Sequence, residues 1–260
     1  MAAVVRGLGE LGRAGLALLT LLGRLGLFVA EIGHWLVARR PAFPEVVAQA
    51  VRVGLHTVGI LAVVLFFIGA NVALVGHAIF KQFGGQDLVG IYVGLSCVIG
   101  LAPLIVGAML GAKPGTEIAA TIASMRVKEQ IDALEVMAVN PYWHLMVPRV
   151  LAFLIVTPGL LAVAIVSSVG GGYAAAVFQL GVNPGVFLAD VLRFLVMADL
   201  WKGLVRSEIF ALMVCLLSCF YGFHSQPGPA GVSRAINMAV VVGCTSIIVV
   251  NYFLTELMYG

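Results

Sequence analysis

The sequence predicts an all-α polytopic membrane protein, with five transmembrane helices that follow an amphipathic N-terminal helix. Of its 260 residues, 62% are hydrophobic and only 10% are charged, and the mean hydropathy is +1.10. A helix needs about 20 predominantly apolar residues to cross a bilayer. Five stretches meet that length with few or no charges, and we place the spans at about residues 53–80, 88–112, 150–178, 205–225 and 235–257.

The first forty residues differ from these spans in how their charges are arranged. Five charged residues lie within an arc of roughly 60° on a helical wheel: Arg6, Glu10, Arg13, Arg24 and Glu31. A helix with one charged stripe lies in the membrane interface with its charges toward water. Residues 1–40 are therefore predicted to form an interfacial segment that ends at Arg39-Arg40-Pro41. A sixth spanning helix, whose arginines reach out to the interface, is the alternative.

Basic residues predict how the chain is oriented. Five spans place the termini on opposite sides of the membrane. With the N-terminus in the cytoplasm, eleven of the fifteen Lys and Arg residues lie on the cytoplasmic side. Cytoplasmic loops of membrane proteins are enriched in these residues, so we expect this orientation. The net charge of +3 then reflects orientation, and nucleic acid is not an expected partner.

Proline and glycine mark irregular points in two of the spans. Pro103 has glycines nearby in the second span, which predicts a kink whose free backbone groups packing must satisfy. The uncharged run that begins at Val150 is too long for one upright helix. Gly170-Gly171-Gly172 and Asn183-Pro184-Gly185 are predicted to mark where it loosens and where it ends.

The sequence MRVKEQIDALEV, residues 125–136, concentrates charge between the second and third spans. Its pattern predicts a short amphipathic helix over about residues 126–139, which Asn140-Pro141 ends. Val127, Ile131, Leu134 and Ala138 form one apolar stripe, and Lys128, Asp132 and Glu135 share another face with Glu129 beside them. Lys128 and Asp132 are spaced for an i,i+4 ion pair. An ordinary solvated loop helix and a docking helix for a cytosolic partner both fit this pattern.

Two adjoining segments carry a resemblance to a known family. EQIDALEVMAVNP, residues 129–141, is followed by VPRVLAFLIVTPGLL, residues 147–161. Together they resemble the signature of the MlaE/YrbE family of ABC-transporter permeases. The similarity extends to residues 115–125, to the region of Asp199, Arg206 and Phe210, to Gly231-Val-Ser-Arg234-Ala and to the closing Asn-Tyr-Phe-Leu-Thr. It covers most of the chain and implies an MlaE-type transmembrane permease domain over residues 41–260.

The resemblance implies the partners of the chain. It implies a second permease protomer, identical or homologous, a cytosolic ABC ATPase and a periplasmic MCE-domain lipid-binding protein, and such assemblies can include a small cytosolic accessory subunit. These systems move phospholipid between the membranes of diderm bacteria, which places the chain in the bacterial inner membrane with a cytoplasmic N-terminus and a periplasmic C-terminus. ATP and Mg²⁺ are expected in the ATPase, and no cofactor is expected in this chain. The sequence agrees in having no G-x-x-x-x-G-K-[ST] phosphate loop.

In that family the helix that matches Val127–Met137 is the coupling helix, seated in a groove of the ATPase. The resemblance therefore implies an ATPase contact through Arg126, Lys128, Glu129, Gln130, Asp132 and Glu135.

This chain departs from the family pattern within the second span. Family members commonly carry an Arg-Glu pair where this chain has Ile99-Gly100. The usual Gly-Arg and Ala-Glu of the next segment are Ala112-Lys113 and Ala120-Thr121, with a glutamate at Glu117. Charged pairs inside a membrane are costly and usually functional. Either this chain handles its substrate through apolar walls, or it pairs with a more polar sister permease.

A lipid substrate calls for an apolar cavity, which we expect where two protomers meet. The predicted substrate path consists of Phe66, Phe67, Asn71, Val72, Val75, Ile99 and Leu101. Phe66 and Phe67 can instead face lipid or a neighbouring helix. Asn71 can instead form a hydrogen bond to another helix.

Asp199, Lys202 and Arg206 form a predicted polar network near the outer interface, with either a structural or a headgroup-binding role. The five histidines show no clustered ligand pattern, and the four cysteines lie in apolar spans as small buried side chains. We therefore predict no metal site and no catalytic residue. An intramembrane lipid-modifying enzyme, or a membrane scaffold without transport activity, is the alternative function.

Overall fold

All regular secondary structure in the described part of the chain is helical. The computed structural model describes residues 2–38, 43–85 and 88–259, with the backbone alone for residues 2–18, 22 and 194. No strand occurs in these residues, which confirms the all-α prediction. The helices are α1 (Ala2–Ala38), α2 (Phe43–Lys81), α3 (Val89–Val127), α4 (Gln130–Val136), α5 (Tyr142–Gln179), α6 (Pro184–Phe194), α7 (Met197–Phe223) and α8 (Pro229–Tyr259).

Six of these helices are long and apolar enough to cross a membrane, so the chain is a multi-pass membrane protein. The five predicted spans fall in α2, α3, α5, α7 and α8. The helices extend beyond the predicted spans, since α2 begins at Phe43 and α3 continues to Val127. Hydropathy marks only the part of a helix that lies in hydrocarbon, whereas backbone hydrogen bonding continues where the side chains become polar.

The second half of α1 packs against the bundle. Phe28 and Ile32 are buried, and the Phe28 ring centroid lies 5.6 Å from that of Tyr142 and 5.5 Å from that of Phe220. Residues Leu19–Ala38 are also apolar enough to span a membrane, so the interfacial placement of α1 stays a prediction. The side chains of Arg6, Glu10 and Arg13 lie outside the described residues, as do Arg39, Arg40 and Pro41.

Helices α2 and α5 make the most extensive contact in the described chain, and glycines allow it. A Cβ atom on Gly69 would lie 1.8 Å from the carbonyl oxygen of Ser168. One on Gly171 would lie 1.9 Å from the carbonyl oxygen of Phe66. Small residues let membrane helices approach this closely. The glycine triplet itself stays α-helical and packs against α2, so the predicted loosening does not occur at Gly170-Gly171-Gly172. The helix widens only after the triplet, where Ala175–Gln179 form a π helix.

The other predicted interruption, at Asn183-Pro184-Gly185, does separate two helices, as expected. α5 ends at Gln179, and the side-chain oxygen of Asn183 accepts a hydrogen bond of 2.9 Å from the backbone N–H of Gly185. This bond satisfies an otherwise unpaired donor in the first turn of α6. Pro184 occupies the first position of α6, where its missing N–H costs nothing.

The charged stretch forms two helices where the sequence predicted one over about residues 126–139. α3 ends at Val127, and α4 occupies only Gln130–Val136. Glu129 has a left-handed backbone conformation with φ of 56°, so the chain turns sharply between the two helices. Lys128 and Asp132 consequently do not form the predicted i,i+4 pair, and Asp132 accepts a hydrogen bond from Arg126 instead.

Candidate functional site

Arg206 joins three helices within the apolar part of the bundle. Its side chain is only 1% exposed. Charged residues are rare within membrane-spanning helices and are usually functional. Nη1 donates a hydrogen bond of 2.7 Å to the backbone carbonyl oxygen of Ile99 in α3. Nη2 donates to Asn251 Oδ1 and, over 3.0 Å, to Thr255 Oγ1 in α8. Arg206 therefore links α7 to both α3 and α8.

The local structure of α3 removes one donor that the Ile99 carbonyl would otherwise have within its own helix. Residues Ser96–Leu101 form a π helix, and Pro103 follows after Ala102. Proline has no N–H, so the i+4 donor that the Ile99 carbonyl would have in a regular helix is missing. The sequence predicted a kink near Pro103, and the structure has a π helix there. Short π-helical segments within helices are often found at functional sites.

Lys202 lies one helical turn before Arg206 and also binds α8. Its Nζ donates a hydrogen bond of 2.8 Å to the carbonyl oxygen of Met258 and lies 4.2 Å from the centroid of the Tyr259 ring. Asp199 is half-buried, and its carboxylate forms no ion pair with Lys202 or Arg206 within the part of the chain that is described. Lys202 and Arg206 therefore each bind α8, and Asp199 does not join them in a network of ion pairs.

The predicted substrate path draws its residues from two helices, α2 and α3. Phe67, Asn71 and Val75 are exposed at i, i+4, i+8 spacing on α2, with Phe66 exposed and Val72 half-buried beside them. Among the described residues, Asn71 has no side-chain hydrogen-bond partner, so the structure does not contain the interhelical bond that the sequence allowed. Ile99 and Leu101 are half-buried in the π helix of α3.

Apolar grooves occur elsewhere on the described surface. One of about 570 Å³ lies between α2 and α5 and is lined by residues that include Val51, Leu55, Ile155 and Val163. A second of about 280 Å³ lies between α5 and α7, beside Pro158 and Trp201. Neither groove is lined by a residue of the predicted path.

The charged stretch presents its side chains outward at the end of α3. Lys128, Glu129, Gln130, Asp132 and Glu135 are all exposed, and Arg126 is half-buried with its guanidinium 5.9 Å from the Phe223 ring centroid. Ile131 is fully buried and anchors α4 to the membrane domain. The predicted outward polar face is therefore correct at these positions. The predicted apolar stripe holds only in part: Ile131 is buried and Val127 and Leu134 are half-buried, but Ala138 is exposed, because the helix ends before it.

Several side chains at these sites were not identified from the sequence as functional. Val136 and Met137 are 88% and 64% exposed, which adds an apolar tip to the charged surface of α4. They lie off the apolar stripe, so periodicity gave no signal for them. Asn251 and Thr255 were noted only as part of the closing segment. Two features of the sequence pointed to their contact with Arg206. Asn251 and Thr255 are polar residues within an apolar span, and Pro103 lacks the N–H that would bond to the Ile99 carbonyl.

Comparison with known proteins gives consistent results over most of the chain. The family model described as Permease MlaE matches residues 46–257. A probable ABC transporter permease protein of Rickettsia felis is 35% identical over 214 residues, which cover 82% of this chain and 83% of the relative. The intermembrane phospholipid transport system permease protein MlaE of Haemophilus influenzae is 28% identical over 99% of both chains. The chloroplastic protein TRIGALACTOSYLDIACYLGLYCEROL 1 of Arabidopsis thaliana is 23% identical, over 81% of this chain and 60% of that protein.

Proposed function

Because the chain belongs to the MlaE permease family, we propose that it is the permease subunit of an ABC transporter that moves phospholipid between the inner and outer membranes of a diderm bacterium. The similarity to the Haemophilus influenzae permease, whose name specifies intermembrane phospholipid transport, carries this proposal because it extends over 99% of both chains. A transporter permease is itself no enzyme, so the chemical energy comes from another chain.

The exposed surface of α4 is the proposed contact with that chain, a cytosolic ATPase that binds ATP and Mg²⁺. This surface carries the exposed carboxylates of Glu129, Asp132 and Glu135, together with the exposed apolar side chains of Val136 and Met137. Interfaces commonly combine an apolar centre with a polar rim. Ile131 and the Arg126–Asp132 ion pair fix this segment to the end of α3, so a displacement of α4 is transmitted to a membrane-spanning helix.

The exposed α2 face is the proposed contact with a second protomer, identical or homologous. Phe67, Asn71 and Val75 are exposed in one protomer, and a partner that covers them would enclose an apolar space of the kind a lipid requires. On the periplasmic side we expect an MCE-domain protein to receive or deliver the lipid. The proposed location is the bacterial inner membrane, with the N-terminus in the cytoplasm.

Purification from native membranes tests this assignment. The tagged chain is extracted in mild detergent, and all co-purifying proteins and lipids are identified by mass spectrometry. We expect an ABC ATPase, an MCE-domain protein and phospholipid. A matched purification of a second tagged multi-pass protein from the same membranes controls for nonspecific lipid. Recovery of the chain alone, under conditions in which other membrane complexes stay intact, would contradict the proposal.

A further inference from the structure

A cavity of about 250 Å³, lined by both polar and apolar side chains, lies where α2, α3 and α5 meet. Its walls include Gln49 and Arg52 from α2, Glu117 and Thr121 from α3, and Arg149 from α5. None of these residues belongs to the predicted substrate path, to the α4 surface or to the Arg206 centre. The volume far exceeds the share of about 30 Å³ that one water molecule occupies in the liquid.

Arg149 is a buried cation without a matching anion. Its side chain is 6% exposed, and its Nη1 atom is buried with no hydrogen-bond partner. In the described part of the chain, neither Arg149 nor Arg52 forms an ion pair with a carboxylate. Both arginines line the same cavity. An unpaired buried charge is costly, so such charges are normally paired or bind an ion.

The one carboxylate on the cavity wall does not supply that anion. Glu117 Oε2 lies 3.8 Å from Nδ1 of His56, outside the cavity, and the Glu117 side chain is 44% exposed. Lys113 approaches the same place, because its Nζ donates a hydrogen bond of 2.8 Å to the backbone carbonyl oxygen of His56. Cationic side chains therefore outnumber carboxylates around the cavity.

The position of the cavity along three helices places it at the edge of the hydrocarbon layer. Arg52 directly precedes the uncharged run 53–80, and Arg149 directly precedes the uncharged run 150–189. The uncharged run 88–112 ends just before Lys113 and the cavity residue Pro114. All three helices thus change from apolar to charged at this level. Lipid headgroups lie at this depth in a bilayer.

We propose that this cavity binds a phosphate group, with the guanidinium groups of Arg149 and Arg52 as its main donors. A guanidinium presents a planar fork of N–H groups that matches two phosphate oxygens. Gln49 and Thr121 add polar groups at the wall. The headgroup phosphate of a phospholipid and free phosphate share this chemistry. The site goes beyond the proposed function, since it does not require that the chain transports the bound molecule.

Binding to the purified full-length chain in detergent tests the site with two probes. Inorganic phosphate is titrated by calorimetry, and phosphatidylglycerol is titrated by native mass spectrometry. We expect saturable binding of one or both. Arg149→Gln is expected to weaken it by about tenfold or more, because it removes the buried charge and retains much of the side-chain volume. Arg52→Gln should weaken it in the same direction, and since Arg52 is exposed at the rim, this variant should fold normally.

Arg234→Gln is the matched control, because Arg234 is exposed and does not line the cavity. Its affinity should stay within about twofold of the unmodified chain. Binding of phosphatidylglycerol without binding of inorganic phosphate identifies the site as a headgroup site, and the reverse result identifies it as a site for free phosphate. Absence of saturable binding of either probe to the unmodified chain overturns the proposal. Equal affinities in Arg149→Gln, Arg52→Gln and the unmodified chain overturn it as well.

Discussion

The guanidinium of Arg206 donates a hydrogen bond of 2.7 Å to the backbone carbonyl oxygen of Ile99. Ile99 and Gly100 are the two positions at which the resemblance led us to expect an Arg-Glu pair. In this chain a cationic side chain, that of Arg206 in α7, therefore binds this turn of α3. Arg206 stabilises a backbone acceptor next to Pro103 and, through Asn251 and Thr255, also holds α8 in place.

Replacing Arg206 should destabilise the folded chain. Arg206→Met removes the side-chain bonds to α3 and α8 and leaves the Ile99 carbonyl without its external donor. Hydrogen bonds to charged groups contribute about 1.5–3 kcal/mol each, and three are lost, so we expect the unfolding free energy to fall by about 3 kcal/mol or more. Thermal unfolding of the purified chain in detergent measures it. Arg234→Met, at an exposed position, should change stability little, and equal effects of the two substitutions would argue against the structural role of Arg206.

The sequence was sufficient to locate the membrane spans and the charged stretch, but it did not reveal the contacts between helices. Hydropathy reports the free energy of placing a segment in lipid, which is a property of that segment alone. The bond from Arg206 to Ile99 joins residues that are 107 positions apart, so no local pattern encodes it. Pro103 did indicate that a backbone acceptor nearby would need a donor, without indicating which side chain supplies it.

The glycine triplet is a second case in which the local sequence did not reveal a contact between helices. Gly170-Gly171-Gly172 has the composition of a loosened helix, yet α5 is continuous there because Gly171 and Gly172 pack against neighbouring helices. Whether a glycine weakens a helix or permits close packing depends on the neighbour that it faces. That neighbour is set by the tertiary fold and is absent from the local sequence.

Gly171→Ala should destabilise the contact between α2 and α5. The added Cβ would lie 1.9 Å from the Phe66 carbonyl oxygen, so the helices must separate. Overpacking of this kind costs about 1–3 kcal/mol. Gly170→Ala is the matched control, because an added Cβ there meets nothing within 4 Å. Thermal unfolding should show a lower transition temperature for Gly171→Ala alone, and a similar decrease in both variants would contradict the packing argument.

Charge reversal on α4 should release the ATPase without unfolding the chain. Glu129→Lys, Asp132→Lys and Glu135→Lys, combined in one chain, place positive charge on an exposed surface that is now largely negative. Wrong-sign charge at an interface costs several kcal/mol, so affinity for the ATPase should fall by at least about tenfold. Co-purification with quantified subunit ratios measures this loss.

Two controls separate loss of docking from loss of structure. Glu256→Lys reverses an exposed carboxylate near the end of α8, and it should leave ATPase binding unchanged. The thermal transition of the triple variant should fall only slightly, because the three substituted side chains are exposed and the Arg126–Asp132 pair that it loses lies at the surface, where such a pair contributes about 1 kcal/mol or less. A complex that stays intact after all three reversals would show that the ATPase docks elsewhere.

Cross-linking tests the proposed second protomer on the α2 face. Asn71→Cys places a thiol among Phe67 and Val75 on that exposed surface, after the four natural cysteines are replaced by serine or alanine. We expect a short bismaleimide reagent to join two protomers in membranes. Ile248→Cys, which is 66% exposed on α8, should remain monomeric under the same treatment. Equal cross-linking at both positions, or none at Asn71→Cys, would show that this face does not join two copies of the chain.

The most direct test of the central claim is ATP-dependent phospholipid transfer in a reconstituted system. The complete complex is placed in vesicles that contain a fluorescent phospholipid, and its appearance in acceptor vesicles or on the MCE-domain protein is followed with time. We expect transfer that requires ATP hydrolysis and decreases in the α4 charge-reversal variant. A complex that hydrolyses ATP at its normal rate but moves no lipid faster than vesicles without protein would contradict the assignment of this chain as a phospholipid permease.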